Sequence, residues 1–513
     1  MCDRELGGDL FEWTAQVFCD SADLAGMGTI LAGAAIPSSL GRPPDLHSPP
    51  ASLRVAAVVS ALASGLDLST GQPEGHSVRT CVIGMRIAQE IGLSCQLKND
   101  LFYALLLKDC GCSANASQTF HALGADDLKA KRDVKTTDWT RTSWETLHYA
   151  LSHVAPGKPF LERTKALFLL AVNQKAHTKN VTKIRCERGS TLARLMGLSD
   201  ATANAISNLD EHWDGKGQPE EKVRTEIPIL SRIALLAETL EEFLVDQCAQ
   251  AAVLMANQRS KTWFDPALVK AVNSLAKRGQ LWPDVFSDRL GELCLAMEPE
   301  PKTIEQGDTT LDNICMAFSN IVDAKSPYTF NHSIGVANAA VAVARGLGMP
   351  RERVMFVRHA ALLHDLGKLG VSNAILEKPA ALNDDEFQSV KQHPFHTWNI
   401  LRRIPGFEEM SEVAGSHHEK LNGTGYFRGL TGEHLAIESR ILAVADIFDA
   451  LTAKRPYRDG LPLEDVFRLM RKDTPHALDP LCVEVLQQSG MSSDQTYVDL
   501  DNLNAQLQAT PVY

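Results

Sequence analysis

Seven side chains in the C-terminal half of the sequence have the types and the order of a site for two metal ions. An apolar run with helical spacing ends in the adjacent pair His364 and Asp365, and a second pair, His417 and His418, precedes a glycine-rich turn. Imidazole and carboxylate ligands together suit iron, manganese or zinc rather than calcium. We therefore predict a centre for two divalent metal ions, with iron or manganese favoured. Its predicted ligands are His332, His364, Asp365, His393, His417, His418 and Asp446.

This ligand set suits the hydrolysis of a phosphodiester. Two metal ions about 3.5–4 Å apart can share a hydroxide and neutralise the charge of the transition state. Asp365 follows His364 directly, so His364 can hold one metal ion while Asp365 bridges both. Lys368 lies four residues after His364, where it can meet a phosphate oxygen, and Asp449 shares a helix face with Asp446. We assign catalytic roles to Asp365, Lys368 and Asp449.

Each fragment of this pattern also has an ordinary structural explanation. A single His-Asp or His-His pair is more often part of a core or a surface than of a metal site. The ordered combination is more specific, because seven of the 16 histidines lie between residues 332 and 418. Other histidines fall outside the pattern, and structural roles are expected for His359, His396, His434 and His476. The basic segment 453–460 either ends a solvated helix or contacts phosphate, and we favour phosphate contact.

Helical periodicity dominates the sequence from Ser52 onward, while alternating strand patterns are nearly absent. The predicted fold class is therefore all-α. Residues 1–51 are rich in proline and poorly patterned, which predicts a loose leader with one short helix near 9–19.

The sequence contains two copies of one unit. The segment that begins with GHS at 75 resembles the segment that begins with NHS at 331, an offset of 256 residues, whereas SRIALLAETLEEF at 231 matches SRILAVADIFDAL at 439, an offset of 208. The first copy therefore carries 48 extra residues (256 − 208 = 48), around 113–180. Such self-similarity predicts two tandem helical domains. The predicted divisions are a leader 1–51, a first domain 52–296, a linker 297–310, a second domain 311–490 and a tail 491–513.

The first copy has lost most of the predicted ligands. Its matching positions are His76, Lys108, Asp109, Arg185, Leu209, Asp210 and Glu238. A protonated lysine cannot ligate a cation, and leucine offers no lone pair. We therefore expect the first copy to keep the fold without assembling a metal centre.

Composition limits the partners that the protein is expected to bind and the cell compartment in which it is expected to work. A net charge of −12 disfavours binding to nucleic acid or to anionic membranes. Eleven cysteines, an odd number without a CxxC pair, predict reduced thiols in a cytoplasmic protein. The apolar segment 24–36 is too short to span a membrane, which takes about 18 residues or more, and Asp3 and Glu5 precede it instead of a basic signal-peptide start.

The region 320–486 resembles the HD-GYP family, a branch of the HD phosphohydrolase superfamily. The resemblance is carried by HDLGKLG at 364–370, HHEKLNGTGYF at 417–427 and ESRILAVADIFDALTAKRPYR at 438–458. It implies a bacterial phosphodiesterase that opens cyclic-di-GMP, or 3′3′-cyclic GMP-AMP as in some tandem relatives, to the linear dinucleotide. It also implies the seven ligands above, with Asp365 as the bridge. The substrate-binding residues that it implies are Lys368, Tyr426, Arg455 and Arg458.

The chain departs from the family pattern in the loop after the His-His pair. The Gly-Tyr-Pro signature reads Gly425-Tyr426-Phe427, and Asn422 replaces the usual aspartate. Since none of these is an expected ligand, metal binding should survive, whereas base recognition and partner docking are affected. Tyr328 stands where members with a third metal carry glutamate, so two metals are expected.

The alternative function is a non-hydrolysing one. The chain would then be a cyclic-dinucleotide sensor, or a docking module for diguanylate cyclase domains through the loop Gly425–Phe427. A homodimer is compatible with either function. The complete ligand set favours the enzyme.

Overall fold

The computed structural model describes residues 53–137, 144–156, 159–305, 309–329, 331–453 and 460–491. Within these ranges nearly all regular structure is helical, so the all-α prediction is confirmed. The exception is one short antiparallel ribbon, in which β1 (Leu53–Arg54) pairs with β2 (Thr303–Ile304). No helix in the described ranges is both long and apolar enough to cross a membrane. The predicted leader, nearly all of the predicted tail, and Arg455 and Arg458 lie outside the described residues.

The helices of the first copy precede the ribbon's second strand, and those of the second copy follow it. The first copy contains α1 (Val55–Ser69), α2 (His76–Glu90), α3 (Cys95–Leu107), α4 (Ala116–Leu123), α5 (Asp127–Thr136), α6 (Trp144–His153), α7 (Phe160–Leu195), α8 (Asp200–Ser207), α9 (Ile229–Asp246), α10 (Ala249–Gln258), α11 (Pro266–Lys277) and α12 (Leu290–Ala296). The second copy contains α13 (Thr310–Asp323), α14 (His332–Gly346), α15 (Arg351–Leu363), α16 (Asn373–Leu376), α17 (Asp384–Lys391), α18 (His393–Leu401), α19 (Glu408–Gly415), α20 (Ile437–Thr452), α21 (Leu463–Lys472) and α22 (Pro480–Gln488).

Helices α2 and α14 begin in the same way, and each begins with a histidine of the repeated pattern. The residue before each helix has positive φ, 84° at Gly75 and 60° at Asn331, a conformation that glycine and asparagine tolerate best. In the second copy, the Asp323 carboxylate accepts a hydrogen bond from the Ser333 amide at 3.1 Å, which satisfies a free N–H of the first turn. Asp67 and Ser77 form the equivalent bond at 3.0 Å in the first copy.

Glycines at two matching positions support the alignment of Arg185 in the first copy with His393 in the second. A Cβ on Gly367 would lie 2.8 Å from the carbonyl carbon of His393, and a Cβ on Gly111 would lie 2.9 Å from that of Arg185. The backbone therefore approaches equally closely in both copies, and only glycine fits. This shared contact supports the pairing of Arg185 with His393.

The two copies are packed against each other around one continuous apolar core. Helix α1 of the first copy lies against a 3₁₀ turn of the second, Leu366–Gly370, where a Cβ on Gly65 would meet Leu366 at 3.2 Å. The Arg188 guanidinium also donates to the Asn320 carbonyl at 3.2 Å across this junction. The turn that follows the His-Asp pair is thus supported by the first copy. The predicted domain boundaries stay predictions, and Glu298 in the predicted linker is buried.

Candidate metal centre

The structure brings all seven predicted metal ligands together, and all seven side chains are buried. They come from the start of α14, the end of α15, the start of α18, the residues after α19, and α20. The ligand atoms of His332, His364 and Asp446 lie within 4.8 Å of one another. Those of His393, His417 and His418 do so as well. The site therefore consists of two groups of three ligands, which we name the first trio and the second trio in that order.

Asp365 lies between the two trios. Its Oδ2 atom is 3.4 Å from His364 Nε2 and 3.5 Å from His332 Nε2 in the first trio. Its Oδ1 atom is 3.4 Å from His393 Nε2 and 3.7 Å from His417 Nε2 in the second trio. One carboxylate oxygen thus faces each trio, which is the arrangement that a bridging ligand needs.

Hydrogen bonds on the far side of three of the five rings fix which nitrogen of those histidines faces the centre. Three Nδ1–H groups donate to the carbonyl oxygen three residues earlier: His364 to Ala361 at 2.7 Å, His393 to Val390 at 2.7 Å and His417 to Ala414 at 2.6 Å. Since a carbonyl can only accept, the proton is on Nδ1 and the lone pair of Nε2 points into the site. Such partners orient metal-bound histidines and set their tautomer.

Asp449 orients the ring of His332 in the same way. Its carboxylate lies 2.7 Å from His332 Nδ1, and the matching residue of the first copy, Glu241, contacts His76 Nδ1 in the same way. Through this contact Asp449 orients His332, and the catalytic role assigned to Asp449 from the sequence stays a prediction.

The electrostatics of the centre suit metal ligation. Burial lowers the pKa of His364, His393 and His418, and lowers that of His417 to about 4, so these imidazoles are neutral at pH 7. Burial also opposes the charged form of His332, but its contacts with Asp446 and Asp449 dominate and raise its pKa to about 9. A neutral imidazole is the form that binds a metal ion, so four of the histidines are in the ligating form at pH 7, whereas His332 must release its proton when a metal ion binds.

Buried atoms without hydrogen bonds show that the residues fit metal ions. The Nε2 atom of His364 and the Oδ1 atom of Asp365 have no hydrogen-bond partner among the described residues, although both side chains are almost fully buried. Leaving such an atom unsatisfied costs about 1–3 kcal/mol. A cation at each trio would satisfy both atoms, and the donor set of imidazoles and carboxylates suits iron, manganese or zinc.

Lys368 and Tyr426, the two predicted substrate-binding residues that the structure describes, lie at the rim of the centre. Helix α15 ends at Leu363, so Lys368 is carried by the 3₁₀ turn rather than by a continuing helix. Its Nζ atom is 2.5 Å from Asp365 Oδ2. The Tyr426 ring centroid is 4.8 Å from that of His418, and the hydroxyl is buried without a hydrogen-bond partner among the described residues.

The altered signature loop takes a backbone path that proline cannot follow. Phe427 has φ of 100°, whereas proline is held near −65°. The Phe427 ring packs against Phe395 and Trp398, with centroids 5.7 Å apart in both cases. The loss of the family's proline is therefore tied to a different loop conformation.

Ammonium groups lie among the matching side chains of the first copy. Lys108 Nζ is 2.8 Å from His76 Nε2, contacts the Asp109 carboxylate and lies 3.4 Å from Glu238 Oε1. Lys135 Nζ lies 3.2 Å from Asp109 Oδ1 and 2.5 Å from Glu238 Oε1. The expectation drawn from Lys108 and Leu209 is thus extended by Lys135, which the sequence analysis missed because Lys135 lies in the 48-residue insertion and has no counterpart to align with.

A buried lysine supports the turn after the His-Asp pair and predicts a pH-dependent stability. Lys325 Nζ donates to the Leu369 carbonyl at 2.6 Å, and burial lowers its pKa from 10.5 to about 8. The unfolded chain therefore binds one more proton between pH 8 and 10.5, so the free energy of unfolding should rise across this window. The rise is on the order of 3 kcal/mol. Urea unfolding of wild type and Lys325→Met over this range measures it; parallel curves for both proteins would contradict the assignment.

Known proteins share this fold and sequence pattern. A family model described as an HD domain matches residues 181–268 and 316–481, one segment in each copy. A 3′3′-cGAMP-specific phosphodiesterase 3 of Vibrio cholerae is 38% identical over 429 residues, which cover 84% of this chain and 93% of the relative. A cyclic di-GMP phosphodiesterase of Thermotoga maritima is 35% identical over 189 residues, covering 36% of this chain and 51% of the relative.

A solved structure matches over most of the length. It is the crystal structure of a cyclic GMP-AMP specific phosphodiesterase of V. cholerae, with a TM-score of 0.59 and 32% identity, and the match covers 87% of this chain and 100% of that one. These similarities confirm the family that the motifs indicated. The chain therefore belongs to the HD-domain family of metal-dependent phosphohydrolases, in its HD-GYP branch, as a tandem protein with a degenerate first copy.

Proposed function

We propose that this protein is a metal-dependent phosphodiesterase that hydrolyses cyclic-di-GMP or 3′3′-cyclic GMP-AMP to the linear dinucleotide. The observation that carries the proposal is the position of Asp365, with one oxygen facing each trio of ligands. The relatives in V. cholerae and T. maritima support the substrate class, because their names specify these two cyclic dinucleotides.

Each side chain of the site has its own role in the proposed reaction. The two trios would hold one metal ion each, with Asp365 between them. When bound, the two ions supply an activated water molecule and neutralise charge on the phosphodiester. Lys368 holds a buried positive charge beside Asp365 for a phosphate oxygen, and the Tyr426 hydroxyl can donate to the substrate. Asp449 keeps His332 in the ligating orientation.

Turnover is the direct test. Full-length protein, purified without air exposure and loaded with Mn²⁺ or Fe²⁺, should convert at least one of the two cyclic dinucleotides to its linear form. Chelation should remove the activity, and either metal should restore it. Tight binding of both dinucleotides with no turnover under either metal would contradict the enzymatic function and favour the alternative, a cyclic-dinucleotide sensor.

Docking of diguanylate cyclase domains on Gly425–Phe427, and homodimer formation, stay predictions.

Metal content gives a prediction that does not depend on activity. Wild type should hold two metal ions per chain, and His418→Ala should lower the content to about one, because only the second trio loses a ligand. Asp210→Ala, at the position that matches His418 in the first copy, is the matched control and should still give two. Elemental analysis of the purified proteins measures this. Unchanged content in His418→Ala would contradict the assignment of that residue.

A further inference from the structure

The first copy contains a cavity of about 350 Å³ that no part of the proposed reaction uses. It lies among the inserted helices α4 and α5 and the helices α7 and α9. Three residues of its wall, Arg185, Asp210 and Glu238, match the metal ligands His393, His418 and Asp446 of the second copy. The cavity therefore lies where the second copy has its metal centre.

The cations on the wall of this cavity are already neutralised. Arg185 contacts the Asp210 carboxylate, and Lys135 Nζ lies 2.5 Å from Glu238 Oε1. Lys131 Nζ donates to the Cys112 carbonyl at 3.0 Å and lies 3.5 Å from an Asp127 oxygen. Since these three cations are paired, the described wall offers little to attract a phosphate group, and an anionic ligand would have to displace existing ion pairs.

The rest of the wall suits a flat apolar ring. Most of the wall surface is apolar, although many wall residues are polar, and its aliphatic and aromatic residues include Leu123, Ala130, Val134, Tyr149, Val181 and Trp263. Apolar pockets of this size typically bind small molecules that make only a few polar contacts. Aromatic wall residues favour a ring that can stack or pack edge-on.

Two buried polar groups on the wall have acceptor atoms to offer. The Oδ1 atom of Asn115 and the Oε1 atom of Glu242 have no hydrogen-bond partner among the described residues, and the two side chains are only 7% and 5% exposed. Lys135 Nζ lies 3.6 Å from Glu242 Oε1, which is within ion-pair distance but too long for a hydrogen bond. Burial raises the pKa of Glu242 well above its usual value. An orphaned acceptor in a cavity is satisfied when a ligand donates to it.

We propose that this cavity is a binding site for an uncharged heteroaromatic molecule, whose N–H or O–H groups pair with Asn115 and Glu242. A neutral ring has apolar faces for the wall and donors at its edge for these two acceptors. The site reuses the place of the lost metal centre, and binding there requires no metal.

A ligand bound in this cavity affects the second copy through α4 and α5, which contact both the cavity and the second copy. Their inner faces line the cavity, while on the outer side Ser117 Oγ donates to Glu377 at 2.9 Å and His121 Nε2 lies 3.0 Å from the same carboxylate. The Asp127 carboxylate accepts from the Asn373 amide at 2.7 Å. These contacts begin a few residues after the turn that carries Lys368. A ligand that shifts α4 or α5 therefore alters the support of that turn.

Calorimetric titration of the full chain with adenosine and guanosine, alongside AMP and GMP, tests the site. At least one nucleoside should bind with one site per chain, and its monophosphate should bind at least tenfold more weakly. Asp365→Ala should bind the nucleoside as wild type does, which separates this site from the metal centre and from any failure of catalysis. Binding of neither nucleoside at low millimolar concentration, equal binding of the monophosphate, or loss of binding in Asp365→Ala would overturn the proposal.

Variants of the wall locate the binding. Ala130→Phe should fill the cavity and abolish nucleoside binding, whereas Lys129→Phe, on the exposed face of the same helix, should leave it unchanged. Glu242→Leu removes an unsatisfied group with little change in volume and should weaken binding at least tenfold. Glu242→Leu also tests the location of the site if Ala130→Phe does not fold. Wild-type affinity in a folded Ala130→Phe or in Glu242→Leu would overturn the assignment.

The link to the second copy has its own readout. The bound nucleoside should change the rate of cyclic-dinucleotide turnover at least twofold in wild type. The double variant Ser117→Ala/His121→Ala should keep the nucleoside affinity and reduce this change, because it cuts the contacts to Glu377 without touching the wall. A saturating nucleoside that leaves wild-type turnover unchanged would overturn the link.

Discussion

Asp365→Asn is expected to lower kcat/KM for the cyclic dinucleotide by about a thousandfold or more. The carboxylate faces both trios, so its loss removes charge and a shared ligand from the centre. Stabilisation of transition-state charge by bound metal ions amounts to several kcal/mol, and each 1.36 kcal/mol is a factor of ten in rate. Steady-state kinetics with Mn²⁺-loaded protein measures the change, and circular dichroism checks the fold.

The matched control for this variant lies in the first copy. Asp109→Asn makes the same change at the equivalent position, where the carboxylate forms ion pairs with Lys108 and Lys135. It should alter turnover by no more than a few-fold. An equal loss of turnover in both variants would mean that the first copy contributes to the active site.

Gly367→Ala is expected to damage both stability and turnover. A Cβ at this position would lie 2.8 Å from the His393 carbonyl carbon and 2.9 Å from His396 Cβ, and the carbonyl is part of the backbone. Overpacking of this kind costs about 1–3 kcal/mol. The turn that would move carries Asp365 and Lys368, and it faces His393. Misplacing a catalytic group by about 1 Å can lower the rate about a hundredfold.

Gly370→Ala is the control for this prediction, since it lies at the other end of the same turn. A Cβ there would meet Leu68 at 3.6 Å, an ordinary van der Waals distance. Its thermal midpoint and turnover should stay close to those of wild type. Wild-type stability and kcat in Gly367→Ala would show that the backbone of His393 can move without cost, contrary to the close approach seen in both copies.

The sequence alone determined the helical class, the duplication and the choice of the seven candidate metal ligands. These features depend only on residue types and their positions along the chain. An adjacent His-Asp or His-His pair is visible directly, helices follow from a short period, and the repeat follows from two constant offsets. The degeneration of the first copy was equally visible at Lys108 and Leu209, because a side chain's capacity to ligate a cation is a property of its type.

The tertiary structure alone decided how these residues meet. In the folded protein one oxygen of Asp365 faces each trio, and Asp449 contacts the Nδ1 atom of His332. Lys135 of the insertion contacts Asp109 and Glu238. No local pattern encodes such contacts, because they depend on how helices far apart in the chain pack, and an inserted segment has no second copy to compare with. The cavity beside Lys135 is hidden from the sequence for the same reason, since its wall combines residues from Asn115 to Trp263 that only the packed helices bring together.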